Sequence, residues 1–237
     1  GRNPDIDSGS TPEDVWNEGG SYTGYDATAN ENIEVFSAST NDSGLLVSSG
    51  TATSGNGTIL TDTGATFVTD GVAVGDFLVN DTKESHGYIS AVTETQLTVF
   101  NMFNLQNKKE ILNEDGDSYR VVTSNGTGAG LVRINHLLNA DYEEQGAEYV
   151  IMNGTTGVTV TGDFMRCSTI DVILAGSGEG AAGDITVRQA TTTANVFLVM
   201  PAENNTAAAA VYTVPKDKVM AIEEVEFNII RANGSAG

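Results

Sequence analysis

The chain has 237 residues, with 11 Lys plus Arg against 32 Asp plus Glu and a formal net charge of −21. That length supports one large all-β domain or two small ones with real cores, and that charge repels nucleic acid and anionic lipid. The single cysteine, Cys167, excludes an intrachain disulfide, and no apolar run approaches the ~20 residues of a membrane-spanning helix.

Gly, Thr, Asn and Ser are plentiful while Pro is scarce, a composition that suits short strands and turns better than helices. The acidic surface keeps such a β-rich protein dispersed; the other use for it is to gather divalent cations. The chain begins at Gly1 without an initiator Met, so a processed, trimmed or partial chain is expected.

Residues 1–30 show neither the helical nor the strand period, and Pro4, Pro12 and clustered glycines interrupt any long element. Trp16, Tyr22 and Tyr25 are costly to leave in water. The segment therefore reads as an extended arm whose aromatics dock on a neighbouring surface, in the same chain or in another subunit. Thr11 to Trp16 can form one helical turn, with Thr11 as cap and Pro12 at the first position.

Ile33 to Thr40 alternates as a strand, with Ile33, Val35 and Ser37 on one face. Asn41-Asp42-Ser43-Gly44 reads as a turn and Ser48 to Gly57 as a Ser/Thr/Gly linker. Residues 57–122 read as a self-contained unit. Thr58–Thr61 opens it, Asp76–Asn80 follows, and His86–Val92 pairs with Gln96–Asn101 across Thr93-Glu94-Thr95. Asn104–Asn113 is a polar loop, and Ser118–Val122 closes the unit. Five or six strands in so short a stretch predict a small barrel, because closure removes exposed edges.

The stretch from Leu131 to Arg188 organises the rest. Asn153-Gly154 between Ala147–Met152 and Thr155–Thr161 is a strong hairpin signal. Phe164–Leu174 reads as one long strand, joined by a glycine-rich hairpin loop, Gly176–Gly183, to its partner Asp184–Gln189. Asn195–Met200, Ala209–Val214 and Val219–Ile230 follow as strands. The last runs into Asn233-Gly234-Ser235, a turn signal with no strand after it, which predicts that the natural chain continues past Gly237. Regular strand-turn spacing without a helical stretch predicts an antiparallel sandwich.

Candidate chemistry is sparse. Asp62-Thr63-Gly64 matches the aspartic-protease tripeptide, but no second such element supplies the partner carboxylate. Gly178-Glu179-Gly180-Ala181-Ala182-Gly183 satisfies G-x-G-x-x-G, yet the strand-like Asp184–Arg188 follows where a helix is required, and Glu179 would repel phosphate. Asn113–Ser118 resembles part of a calcium loop without its ligand order, and Asp5 with Asp7 is a second weak cation candidate. His86 and His136 lack a nucleophile context and read as surface or strand-end residues, and Cys167 as a buried structural thiol. The Asn-x-Thr triplets follow from Asn and Thr richness. No catalytic, cofactor or metal residues are assigned, and no enzyme is expected.

Asn3-Pro4-Asp5-Ile6-Asp7, Pro12–Trp16 and Gly19-Gly20 form one recognisable stretch. Asn139–Glu144, Val150–Thr155, Ala175–Val187 and Tyr212–Pro215 form another. Together they resemble a family of virion structural proteins of tailed bacteriophages, over the arm and main domain. In relatives the opening strand runs directly into the equivalent of Leu131–Ile134. Here residues 55–122 are interposed, and they resemble a small β-module of phage and bacterial surface proteins.

The resemblance implies a non-enzymatic particle component, such as a capsid decoration, head fibre, neck or tail-associated protein, located in the virion. The expected architecture is all-β: an extended arm (1–30), a discontinuous jelly-roll-like antiparallel β-sandwich (31–54 and 123–237), and an inserted small β-barrel (55–122). Trp16, Tyr22 and Tyr25 are the expected subunit or capsid contacts. The expected partners are major capsid or neck and tail proteins and further copies of the chain, a trimer being favoured, with neither nucleic acid nor membrane. The alternative is a carbohydrate-binding adhesin module that takes a host glycan through exposed aromatics such as Tyr88 or Phe103.

Overall fold

The computed structural model describes residues 31–104, 109–110, 113–139, 141 and 143–208. The arm, with Trp16, Tyr22 and Tyr25, and the strands expected at 209–214 and 219–230 lie outside the described residues.

The described chain is almost entirely antiparallel β-structure, as its composition predicted. Its sandwich is built from β1 (Glu31–Ser37), β10 (Ala129–Asn135), β11 (Glu148–Ile151), β12 (Val158–Phe164), β13 (Thr169–Ala175), β14 (Ile185–Gln189), β15 (Val196–Met200) and β16 (Thr206–Ala208). One sheet has the order β12-β1-β14-β15 and the other β11-β10-β13-β16. Strand alternation points Ile33, Val35, Ile185, Val187 and Phe197 of the first sheet at Val132, Ile134, Val150 and Ile170 of the second, closing one core. In β1 the expected face is the buried one: Ile33, Val35 and Ser37.

The remaining strands are β2 (Gly44–Thr51), β3 (Ser54–Asn56), β4 (Ile59–Thr61), β5 (Phe77–Asn80), β6 (Ser85–Val92), β7 (Gln96–Asn104), β8 (Lys109–Glu110) and β9 (Ser118–Ser124). A single helical turn, α1 (Phe67–Asp70), ends on Gly71 in the left-handed region. They form one sheet in the order β2-β9-β5-β6-β7-β4-β3, with β8 added to β7. Its first and last members, β2 and β3, are separated only by Ala52 and Thr53, so the sheet curls back on itself. Leu60, Phe67, Leu78, Ile89, Leu97, Tyr119 and Val121 fill its interior.

This module is inserted between β1 and β10, in a connection that crosses from one sandwich sheet to the other. Phe77, Val79 and Val122 on its outer face pack on Leu131, Tyr149 and Leu174 of the sandwich. Strand β10 is consequently buried along its whole length, one face in the sandwich core and the other under the module. Each fully covered apolar side chain there contributes about 1.5–3 kcal/mol.

Several sequence expectations are corrected. The linker at Ser48–Gly57 is strand: β2 pairs with β9 from Gly44 to Thr51, and β3 pairs with β4. The curled sheet therefore begins at Gly44, inside the stretch allotted to the main sandwich. Part of the polar loop at 104–113 is strand β8, paired with Phe103 and Asn104.

Asn153-Gly154 does not turn a hairpin, because β11 and β12 belong to different sheets. A type I′ turn needs positive φ at both central residues, and only Gly154, at φ 60, has it. Its N–H instead donates to the Asp42 carbonyl at 2.7 Å, and its carbonyl accepts from Ser37 N at 2.9 Å.

The long strand at 164–174 is likewise broken. β12 runs beside β1, the chain crosses at Met165–Ser168, and β13 runs beside β10. Gly176–Gly183 is a further crossing between the sheets, since β14 pairs with β1 and β15 rather than with β13.

Candidate interaction surface

The motifs weighed for chemistry resolve into structure. Asp62 accepts the Tyr119 hydroxyl at 2.7 Å and the Gly64 N–H at 2.9 Å, so the Asp-Thr-Gly tripeptide is a turn anchored on a buried tyrosine. Burial pushes the Tyr119 phenol upward, and the hydrogen bond to Asp62 adds to this.

The glycine fingerprint is followed by strand β14, not by a helix. Its amides serve Asp42. That carboxylate, fully buried, accepts Ala129 N at 2.6 Å, Ala182 N at 2.8 Å, Gly183 N at 2.9 Å and the Ser37 hydroxyl at 2.5 Å. The loop also walls a shallow depression of about 580 Å3 with Thr127, Glu203 and Asn205. Glu179 and Glu203 hold positive φ there, and their charge opposes a phosphate.

In the partial calcium loop, Asp117 accepts Asn80 Nδ2 at 2.8 Å and Glu114 N at 2.8 Å, and lies 3.7 Å from the Lys83 ammonium. These contacts all engage its Oδ2, tying the loop to Asn80 and Lys83. Among the described residues, no group of three or more His, Cys, Asp or Glu is placed to hold a metal. Asp5 and Asp7 lie outside them.

His136 is exposed and lies 3.0 Å from Glu144. Cys167 is buried in the crossing between β12 and β13 rather than mid-strand, and burial pushes its thiol up to about 12.

His86 is at a strand end, second in β6, one of the two positions expected of it, but it does not lie on the open surface. It sits where the module meets the sandwich, stacked on Phe77 at 5.3 Å, with Nδ1 2.8 Å from the Tyr149 hydroxyl. That hydroxyl also donates to the Glu84 carbonyl at 3.1 Å. Burial, and then the charge of nearby Arg133, hold the imidazole down at about 4, with Asp171 opposing them. Arg133 is itself buried and lies 3.1 Å from Asp171, which also accepts Asn135 Nδ2 and the Thr206 hydroxyl. Beside them Arg120 clasps Asp81 through Nε and Nη2 and reaches the Tyr149 carbonyl at 3.1 Å. Apolar packing and this polar set together fasten the two parts of the chain. The sequence carried no signal for it, because its members come from six strands and a turn spread along the chain.

The most distinctive surface feature begins at the same junction. Leu46, Val122, Phe77, Tyr88 and Phe100 are successive cross-strand partners on β2, β9, β5, β6 and β7. Val122 and Phe77 in the middle of this row are covered by the sandwich. Tyr88 and Phe100 emerge at one end, 50% and 64% exposed, with Tyr88 edge-on to Phe77 at 4.8 Å. Tyr88, an aromatic named from sequence, is therefore on an open face; Phe103, the other, pairs through its backbone with His86. Phe100 was missed, because alternation alone does not say which face of a hairpin a neighbouring domain leaves uncovered.

No protein-family model matches the chain, and no curated protein or solved structure is significantly similar to it.

Proposed function

We propose that the chain is a non-enzymatic structural component of a tailed-phage particle, anchored to the capsid or the head–tail region through its N-terminal arm and displaying the inserted module outward. The observation that carries this reading is how the module is mounted. It is spliced into one crossing between the sandwich sheets, pairs β2 with β9 at its root, and is clamped to the outer sheet face by Phe77, Leu131, Tyr149 and Arg120. A module held by both covalent ends, an apolar seam and hydrogen bonds linking His86 and Arg120 to Tyr149 keeps its orientation, as a displayed appendage must. The sequence resemblance supplies the setting, and Trp16, Tyr22 and Tyr25 are the anchoring residues in this reading. Homotrimers would multiply weak arm contacts into avidity.

Mass spectrometry of purified particles, with gold-labelled antibody against the module, tests it. The chain is expected in many copies per particle with label at the particle surface. Its presence in the lysate and absence from washed particles would overturn the reading.

A further inference from the structure

The face on which Tyr88 and Phe100 emerge differs in chemistry from the chain as a whole. On β6 and β7, Ile89, Leu97 and Val99 point into the curled sheet, so Tyr88, Ser90, Gln96, Thr98 and Phe100 project from its outside. On the adjoining β4, Leu60 points inward and Thr61 outward. The amide of Gln96 donates to the Thr61 hydroxyl at 3.2 Å, and the Ser90 hydroxyl to the Thr98 carbonyl at 3.1 Å. None of these outward residues carries a carboxylate, an ammonium or a guanidinium, although the chain has 32 Asp plus Glu. From Phe100 to Gln96 the platform runs about 13 Å along one strand.

We propose that this face binds a neutral oligosaccharide, which stacks on Tyr88 and Phe100 and is hydrogen-bonded by the hydroxyls and carboxamide beside them. Two rigid aromatic rings offer apolar area at small conformational cost. The flanking Ser, Thr and Gln both donate and accept, as sugar hydroxyls require. A net charge of −21 selects against sialylated, sulfated or phosphorylated chains and against nucleic acid, while an uncharged platform imposes no such penalty on a neutral one. The same charge opposes a second copy on this face, and interleaved hydroxyls deprive it of the continuous apolar centre of a homodimer interface. The inference is independent of the particle assignment, because it rests on this face alone.

The test uses the full chain on a glycan array holding neutral and anionic oligosaccharides, followed by calorimetric titration of the best neutral ligand. Phe100→Ala is the main variant, since that side chain is mostly solvent-exposed; Tyr88→Ala is the second, and Leu45→Ser, on β2, the control. Expected are retention of neutral glycans only, a loss of tenfold or more in affinity with either aromatic variant, and no change with the control. No retained glycan, retention of anionic glycans alone, or equal affinity of wild type and Phe100→Ala would each overturn the proposal. So would concentration-dependent self-association abolished by Phe100→Ala, which would assign the face to a second copy. Absence of the chain from particles would remove the proposed function and leave this result standing.

Discussion

The Asp42 carboxylate and the Gly183 amide meet at 2.9 Å across 141 residues of sequence, joining the corner after β1 to the crossing before β14. The same carboxylate takes the amides of Ala129 and Ala182, so one side chain holds together three places where the chain changes sheet. Gly128 leaves room for it, since a Cβ there would run into Asp42 Oδ1. Charge-assisted bonds of this kind are the stronger class, and removing a shared acceptor orphans every donor at once. Asp42→Ala is expected to destabilise the protein by about 3–5 kcal/mol. Asp42→Asn, which keeps one acceptor oxygen, should cost roughly half as much by the same reasoning. Urea denaturation followed by circular dichroism measures both.

His86 makes the junction acid-sensitive. Its pKa falls from 6.5 in the unfolded chain to about 4 in the folded one, through burial and then Arg133. Between those values the unfolded chain binds more protons. This contribution is therefore complete above pH 6.5 and is lost as pH falls towards 4. The loss is on the order of 3 kcal/mol. The groups facing His86 are Tyr149, whose phenol burial pushes up to about 12, together with Arg133 and Asp171. Unfolding free energies measured from pH 7.5 to 4 should drop more steeply for wild type than for His86→Asn, and parallel curves would refute the assignment.

Tyr119→Phe removes the hydroxyl that Asp62 accepts at 2.7 Å and leaves a nearly buried carboxylate with only the Gly64 amide. A cost of about 1–3 kcal/mol is expected. Because the folded phenol titrates above its ordinary range, its contribution is present at neutral pH and is lost in alkali. Ultraviolet titration should show buried tyrosines that ionise only in strong alkali, and their number should fall by one in Tyr119→Phe.

Asp171 is the charged partner of Arg133, whose side chain is 7% exposed. Asp171→Ala leaves that guanidinium buried without it, at a cost of about 3–5 kcal/mol. A double Arg133→Met, Asp171→Leu variant should recover much of the loss. A thermal denaturation series of the single and double variants decides the matter.

Cys167 should resist thiol reagents in the native state. It is fully buried with its thiol pushed up to about 12, so the thiolate fraction at neutral pH is negligible. Labelling by a disulfide reagent should proceed only at the rate of unfolding and become rapid in urea. Fast native labelling would contradict the packing described.

The strands most legible in the sequence were those whose alternation reflects a neighbourhood supplied by the chain nearby. The hairpin of β6 and β7 and the strands β1 and β10 overlap the expected stretches, differing by a few residues at their ends, and β15 falls within its own. Asn153-Gly154 and the glycine loop misled for a shared reason: each carries a turn signal, and a turn between sheets uses the same residue types as a turn within one. The run through Cys167 misled for the opposite reason, since no Gly, Pro or Asn marks the crossing at Met165–Ser168. Ser48–Gly57 misled differently: small polar residues suit an edge that closes a curled sheet, and Gly55 is needed there because a Cβ would collide with the Asn113 carbonyl.

What the sequence by itself determined was the all-β class, the position of most strands, the absence of a disulfide, and the turn character of the protease and nucleotide look-alikes. These follow from local periodicity, composition and backbone preference, which act within a few residues. The tertiary structure alone decided which strands pair, that Asp42 would be the buried hub, that His86 would be lodged beside Arg133, and that Tyr88 and Phe100 would stay in the open. Those outcomes depend on contacts between residues far apart in sequence, such as Asp42 with Gly183 and Ile33 with Gln189. Their strength is set by burial, and burial is a property of the assembled sheets rather than of any stretch of chain.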